Sequence, residues 1–305
     1  SACQTAAPEK TTCCAGWESC SIDTHIHLYD VFRAGVSWPT RATPKLFRKV
    51  LPVDFLQAAA ASGVNRAVVV ECAKEVENNI WTFELTRYVP EIAAVIGFID
   101  PGSARFPEIY DQYSTYEKFR GIRIGSWTNM PEPGVLDDNL SYMEAKQANV
   151  VEILGSWKNL PDLPRLIAAH PDVTFILNHL AGYVIDGGEP EPDYIRFLAS
   201  VSRLENACMK VSGVIARPDS TPVPLDPPFY EPVLRQVYQA FGEDRCLYGS
   251  DWPVITLKGD YAAQYQIIHG FFSQYGKRVL DKAMARNAIR VYKLQEADKE
   301  KPAHA

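Results

Sequence analysis

The sequence predicts an α/β protein built as a single (β/α)8 barrel. Three observations carry that expectation. Short β-branched runs alternate with longer amphipathic stretches along almost the whole chain. Eight strand-like runs fit within 305 residues, and such barrels typically take about 250. No G-x-G-x-x-G follows the first run, so the alternative, a doubly wound open sheet, lacks its dinucleotide fingerprint. Length alone, at about 150 residues per domain, would suggest roughly two domains. One barrel over 21–295 accounts for the same chain, with tails at 1–20 and 296–305.

The first strand reads over Ser21–Leu28. Strands two to four cover Arg66–Glu71, Ala93–Ile99 and Phe119–Ile124. Strands five to eight cover Val150–Leu154, Val173–Leu177, Cys208–Val211 and Arg245–Gly249. Helical spacing marks Val53–Ser62, which ends before Gly63 as a C′ residue. It also marks Glu77–Tyr88, Asp137–Ala148 with its acidic start, and Leu160–Ala169 before Pro171. Asp193–Leu204, Glu231–Phe241, Ala262–Tyr275 and Arg278–Tyr292 complete the set. No helix is assigned between strands three and four. Two connections are long: Tyr29–Pro52, with Trp38, Pro39, Arg41 and Arg48, and the proline-rich Ser212–Pro228. Loops at the C-terminal ends of barrel strands build active sites, so both are expected to wall a substrate.

Composition limits the function class. Hydrophobic residues make up 47%, charged residues 22%, and the net charge is −6. That is the balance of a soluble enzyme and argues against nonspecific binding to nucleic acid or anionic membranes. No run reaches the ~18–20 apolar residues needed to span a bilayer. The seven cysteines are odd in number, and Cys72, Cys208 and Cys246 sit in strand-like surroundings. They are expected to be reduced thiols of a cytoplasmic protein. Cys13, Cys14 and Cys20 lack the spacing of a zinc knuckle. The first 20 residues show no basic n-region or apolar h-region and read as a loose tail.

The sharpest chemical signal is Ile22-Asp23-Thr24-His25-Ile26-His27. Residues two apart on a strand face the same side, so His25 and His27 can chelate one ion. His179 follows the run VTFIL at the mouth of strand six, and Asp251 follows strand eight in Tyr248-Gly249-Ser250-Asp251-Trp252-Pro253. Barrel closure puts strand eight beside strand one, so Asp251 would face the histidine pair. A carboxylate beside a divalent cation stays ionised and can take a proton from an activated water. Each residue has a structural alternative: satisfied core histidines, or an N-cap aspartate. Those alternatives do not account for all four meeting at one rim.

These residues resemble the amidohydrolase superfamily, and more closely its amidohydrolase-2 branch of lactonases. That branch includes L-fuconolactonase-like, muconolactone-lactonase-like and pyrone-lactonase-like enzymes. Supporting segments run in the same order: FRGIRIG, LPDLPRLIAAHPDVTFILNHLAG, MKVSGV, LYGSDWPV and RNAIRVYKL. The likeness spans roughly residues 21 to 294. It implies a distorted TIM barrel that hydrolyses a lactone or related ester. It also implies metal and catalytic roles for His25, His27, His179 and Asp251. One Zn2+ per chain suits imidazole and carboxylate donors; Mn2+, or no tightly bound metal, are the alternatives within the branch. The chain departs from the branch at Glu71, where glutamine is frequent, at Ile124-Gly125, where a histidine often follows the strand-four arginine, and at Leu180-Ala181-Gly182-Tyr183, where Leu-Gly-Lys-Pro is frequent. These positions would touch substrate, so its identity is expected to differ from that of the sugar-lactone relatives.

Arg120 and Arg123 are three apart and face opposite sides of strand four. Arg123, nearer the C-terminal end, is expected at the barrel mouth, where it would clamp an anion; pairing with Glu71 or Glu152 is the structural alternative. Lys74, Glu71, Trp157 and Arg217 are the other substrate-side candidates, with Trp127 beside them. Lys210 is expected in an ion pair, and His170 at a helix end. The function expected is metal-assisted hydrolysis of a small-molecule lactone. The substrate is either a sugar-acid lactone or an anionic lactone of aromatic catabolism such as a (sulfo)muconolactone. The rivals are a nonoxidative decarboxylase of the same superfamily and a noncatalytic binding barrel.

Overall fold

The computed structural model describes residues 21–125 and 133–294. Eight parallel strands follow one another in sheet order: β1 (Ser21–Ile26), β2 (Val64–Val70), β3 (Ile92–Gly97), β4 (Phe119–Ile124), β5 (Val150–Ile153), β6 (Thr174–Leu177), β7 (Ala207–Ser212) and β8 (Cys246–Gly249). The ends meet through a bridge between Ile26 and Trp252. There the His27 N–H donates to the Trp252 carbonyl at 2.9 Å. This is the (β/α)8 barrel expected from the alternation. Strand one ends at Ile26 rather than Leu28, and its register with β2 slips between Asp23 and Ile26.

The helices between them are α1 (Pro52–Ala59), α2 (Val76–Thr86), α3 (Phe106–Ser114), α4 (Pro133–Glu144) and α5 (Leu163–Ala169). Next come α6 (Pro192–Ser202), α7 (Pro227–Phe241), α8 (Tyr261–Ser273), α9 (Lys277–Asp281) and α10 (Asn287–Val291). A 3-10 turn extends α1 to Ser62, and Gly63 then takes φ +69°, as its C′ position requires. The unassigned gap between β3 and β4 holds α3, which buries Phe106, Ile109, Tyr110 and Tyr113. That is an i, i+3, i+4, i+7 stripe, a helical signal carried largely by aromatics. Prolines start several helices earlier than expected. Helix α7 begins at Pro227, not Glu231, and tolerates Pro232 inside. A first-turn proline lacks only an N–H that has no partner there anyway. The expected 278–292 helix is interrupted by a π turn over Lys282–Arg286.

Two apolar layers hold the barrel. The outer one packs helices on strands and includes fully buried Phe55, Tyr110, Phe175, Tyr194 and Tyr230. Each such side chain contributes roughly 1.5–3 kcal/mol by leaving water. The inner one, Ile22, Val68, Ile96, Val150, Ile176 and Leu247, is covered by Ala288, Val291, Tyr292 and Leu294 from the C-terminal helices. Gly121, at φ +151°, shows how closely β4 and β5 approach: a Cβ there would lie 1.9 Å from the Val150 carbonyl oxygen. One barrel floor is therefore dry, and the polar side chains gather at the other end. Cys72, Cys208 and Cys246 are free thiols. No helix among the described residues is long and apolar enough to cross a membrane. The tails at 1–20 and 296–305, with Cys13, Cys14 and Cys20, and Trp127, lie outside the described residues.

Candidate active site

The C-terminal ends of β1, β6 and β8 bring His25, His27, His179 and Asp251 together. Asp251 Oδ1 is the shared neighbour: His27 Nε2 lies 3.4 Å away, His25 Nε2 3.7 Å and His179 Nε2 3.9 Å. The rings of His25 and His179 are 4.4 Å apart, and those of His25 and His27 5.0 Å. All four residues are buried, at most 5% exposed. Their backbone is unusual. Asp251 has φ +67°, and His179, Leu180 and Ala181 form a run at φ +54°, +56° and +53°. Left-handed conformations in non-glycine residues cost of order 1–3 kcal/mol each and gather at functional sites. Gly213 completes the wall at φ +57°; a Cβ there would lie 3.1 Å from both Asp251 Oδ2 and His179 Nδ1.

Outer partners fix each ring. His27 Nδ1 is 2.9 Å from the Val70 carbonyl, which can only accept, so Nδ1–H donates and Nε2 keeps its lone pair. His179 Nδ1 meets the Ser212 hydroxyl at 2.9 Å. His25 Nδ1 is 3.3 Å from Lys210 Nζ. Burial, then the positive charge of Lys210, pushes the His25 imidazole well below its ordinary range. Burial likewise pushes His179 down to about 4, so both rings are neutral at neutral pH. Burial alone would raise the Asp251 carboxyl, but His179, His27 and Arg217 outweigh it and hold it below its ordinary 3.8. At neutral pH the site therefore presents the neutral rings of His25 and His179 beside a carboxylate.

That donor set fits a divalent cation. One atom each from His25, His179 and Asp251 lies within 4.8 Å of the others. His25 Nε2 is buried without any hydrogen-bond partner. His27, expected as a fourth ligand, lies outside this triad; its Nε2 stands 3.4 Å from Asp251 Oδ1.

His25 lies fully buried, and His27, His179 and Asp251 line a cavity of about 720 Å³. Glu71, Lys74, Arg123 and Arg217 all line it, as do Trp38, Phe98, Leu154 and Val254. Arg123 does two things at once: it points to the mouth, and its Nε holds Glu71 Oε1 at 2.7 Å. Arg120 turns away, to the carbonyls of Glu117 and Phe119. Arg217 Nε is buried without a partner. Trp157 is placed elsewhere: it packs on Tyr194 and Phe197 of α6, with ring centroids 5.7 and 6.2 Å apart, and is not among the cavity's lining residues. Aromatic neighbours on α6 hold it there, a contact that no local pattern encodes. His170 is also structural, between Glu144 and Asp137 at 3.1 Å each.

Sequence reasoning weighed Glu152 only as a partner for Arg123, and gave no role to Asn178 or Tyr292. Glu152 is fully buried on β5 and takes hydrogen bonds from Lys210 Nζ at 2.6 Å, the Tyr292 hydroxyl at 2.7 Å and Asn178 Nδ2 at 2.8 Å. The available signal was a charged residue inside the apolar run VVEIL, because a buried carboxylate must find a cation and donors. The ion pair expected for Lys210 is this one.

A barrel with histidines after β1 and β6 and an aspartate after β8 defines an amidohydrolase-type site. The amidohydrolase family profile matches residues 22–294, and the chain belongs to that family. An L-fucono-1,5-lactonase from Burkholderia ambifaria is 28% identical over 252 residues, 79% of this chain and 84% of that protein. An amidohydrolase from Burkholderia multivorans with bound zinc superposes with a TM-score of 0.75 at 21% identity, over 90% of this chain and 99% of that one. A probable 2-pyrone-4,6-dicarboxylic acid hydrolase from Acinetobacter baumannii, with citric acid bound, superposes with a TM-score of 0.72 at 16% identity, over the same 90% and 99%. These structural likenesses show a shared fold.

Proposed function

We propose that this chain opens the ring of a lactone bearing an anionic group, by hydrolysis. The observation that carries the reading is the Asp251 carboxylate, 3.4–3.9 Å from three imidazoles, at the floor of a cavity also lined by Arg123, Arg217 and Lys74. The lactonase name of the 28% identical relative supports the reaction class. The dicarboxylate named as the substrate of the probable pyrone hydrolase supports an anionic substrate.

His25, His179 and Asp251 would hold one divalent ion, with His27 beside them. Zinc suits the donors, and the zinc-bound neighbour supports it. When bound, the ion supplies Lewis acidity toward a carbonyl and its attacking water. Asp251 accepts the proton of that water as its oxygen adds to the lactone carbonyl carbon. The ring C–O bond then breaks, and Asp251 returns the proton to the leaving alkoxide. The product is a hydroxy acid. Arg217 and Lys74 hold the anionic substituent, and Arg123, already fixed by Glu71, gives it a rigid edge. Phe98, Leu154 and Val254 wall the ring. The free thiols Cys72, Cys208 and Cys246 support a reducing, cytoplasmic setting.

The test is a panel of neutral sugar-acid lactones and anionic muconolactones and pyrones, read by proton release, with metal content measured on the untagged protein. Turnover of an anionic lactone, lost in Asp251→Asn, is the expected result. Carbon dioxide release without water consumption would replace this reading with a decarboxylase. No turnover of any lactone, with Asp251→Asn inert by every measure, would replace it with a binding barrel.

A further inference from the structure

Lys210 is fully buried in β7 and directly beneath the site. Its Nζ has three close neighbours: the Thr24 carbonyl oxygen at 2.7 Å, Glu152 Oε1 at 2.6 Å and His25 Nδ1 at 3.3 Å. An ammonium has three hydrogens and no acceptor. Two hydrogens are taken by the oxygens, and the third faces His25 Nδ1. That nitrogen must then present a lone pair, which leaves the imidazole proton on Nε2. Among the described residues the carboxylate at His25 Nδ1 is Glu152, whose Oε2 is 3.8 Å away, too far to take an Nδ1 hydrogen. Glu152 is also occupied: Tyr292 and Asn178 donate to it alongside Lys210.

His25 in β1 and His27 just beyond it are thus set in opposite senses. The Val70 carbonyl makes His27 an Nδ1–H ring with a free Nε2, and Lys210 makes His25 the reverse. We infer that Lys210 is a positioning residue that holds His25 as its Nε2–H tautomer and thereby weakens metal capture at this nitrogen. In most metal sites the ligating imidazole donates its outer N–H to a carboxylate or carbonyl, and losing that partner costs roughly 10–100-fold in affinity. Here the outer partner is itself a donor. Zinc at Nε2 requires the proton to move to Nδ1, where it meets the ammonium hydrogens. In the resting site His25 instead directs an N–H toward the space it shares with Asp251, 3.7 Å away.

The affinity arm of the test rests on the proposed metal site; the tautomer arm does not. Long-range proton–nitrogen NMR of the full chain after chelator treatment reads the tautomer of each ring, with His25 assigned by its loss in His25→Gln. The expected result is His25 protonated at Nε2 and His27 at Nδ1. Zinc affinity is then measured by competition with a chromophoric chelator. The forms compared are the wild type, Lys210→Met, and Lys210→Met with Glu152→Gln, which leaves no buried charge stranded. Tightening of roughly 10–100-fold is expected in whichever variant keeps the wild-type circular dichroism. His25 protonated at Nδ1 in the metal-free wild type would overturn the inference, as would an unchanged or weaker zinc affinity in a folded variant. Failure of every form to bind zinc would count against the proposed metal site, and the NMR result would still decide the role of Lys210.

Discussion

The Asp251 N–H donates to the carbonyl oxygen of His25 at 2.8 Å. The carboxylate that follows the last strand therefore hangs on the backbone of the first. Asp23 reinforces the same seam: its Oδ1 accepts the His25 N–H at 3.0 Å and the Ser250 N–H at 2.8 Å. Its Oδ2 accepts the Tyr261 hydroxyl at 2.8 Å. The seam that closes the barrel and the frame that aims the proposed base are one structure.

Asp251→Asn keeps that backbone bond and the side-chain shape but removes the proton acceptor. We expect turnover to fall about 10²–10⁴-fold with the thermal midpoint almost unmoved. Parallel steady-state kinetics and calorimetry check it. A variant that folds and turns over normally would remove Asp251 from the role of base.

Arg217 brings an unpartnered, buried Nε to the cavity wall. A hydrogen bond to a charged group is worth about 1.5–3 kcal/mol. Arg217→Met should therefore raise KM for an anionic lactone about 10–100-fold and leave kcat within a few-fold. A neutral lactone should respond far less. Equal losses on both substrates would show that Arg217 shapes the pocket rather than reads charge.

Gly213→Ala tests how tightly the site is walled. Its φ of +57° disfavours a side chain, and the added Cβ would press on Asp251 and His179 at 3.1 Å. Backbone strain alone costs about 1–2 kcal/mol, while displacing catalytic groups by about 1 Å can cost about 10²-fold in rate. The variant should fold, melt a few degrees lower and lose far more activity than stability. Differential scanning calorimetry and kcat/KM on one preparation decide it.

Asp30 anchors the long connection after β1. Lys49 Nζ lies 2.9 Å from its Oδ2, and the Phe32 N–H donates to its Oδ1 at 3.1 Å. Partial burial opposes ionisation, but Lys49 and the Phe32 N–H outweigh it, holding the carboxyl below its ordinary 3.8. A carboxylate depressed in the folded state adds stability above its unfolded pKa and loses it as pH falls through its folded value. Asp30→Asn should thus be less stable than the wild type at pH 6, by no more than about 1 kcal/mol for so open a pair. The gap should close as pH drops below 3.8. Urea unfolding from pH 6 down to pH 3 measures it; a gap that does not narrow below pH 3.8 would deny the ion pair its part.

The sequence by itself determined the barrel, the order of its strands and the four residues at its rim. Each of those is local: β-branched runs, a two-residue histidine spacing, and short segments that end strands. Helix α3 went unassigned, because its stripe of Phe106, Ile109, Tyr110 and Tyr113 is largely aromatic. Only the tertiary structure decided the rest. Trp157 went to α6 instead of the cavity because Tyr194 and Phe197 offered it partners. Arg123 proved to be both an ion-pair partner of Glu71 and a cavity residue, a combination its strand position does not reveal. Lys210, Glu152 and His25 are 58 and 185 residues apart in sequence along their two contacts. Periodicity describes what a residue's own segment buries; which buried charge meets which ring depends on closing all eight strands into one cylinder.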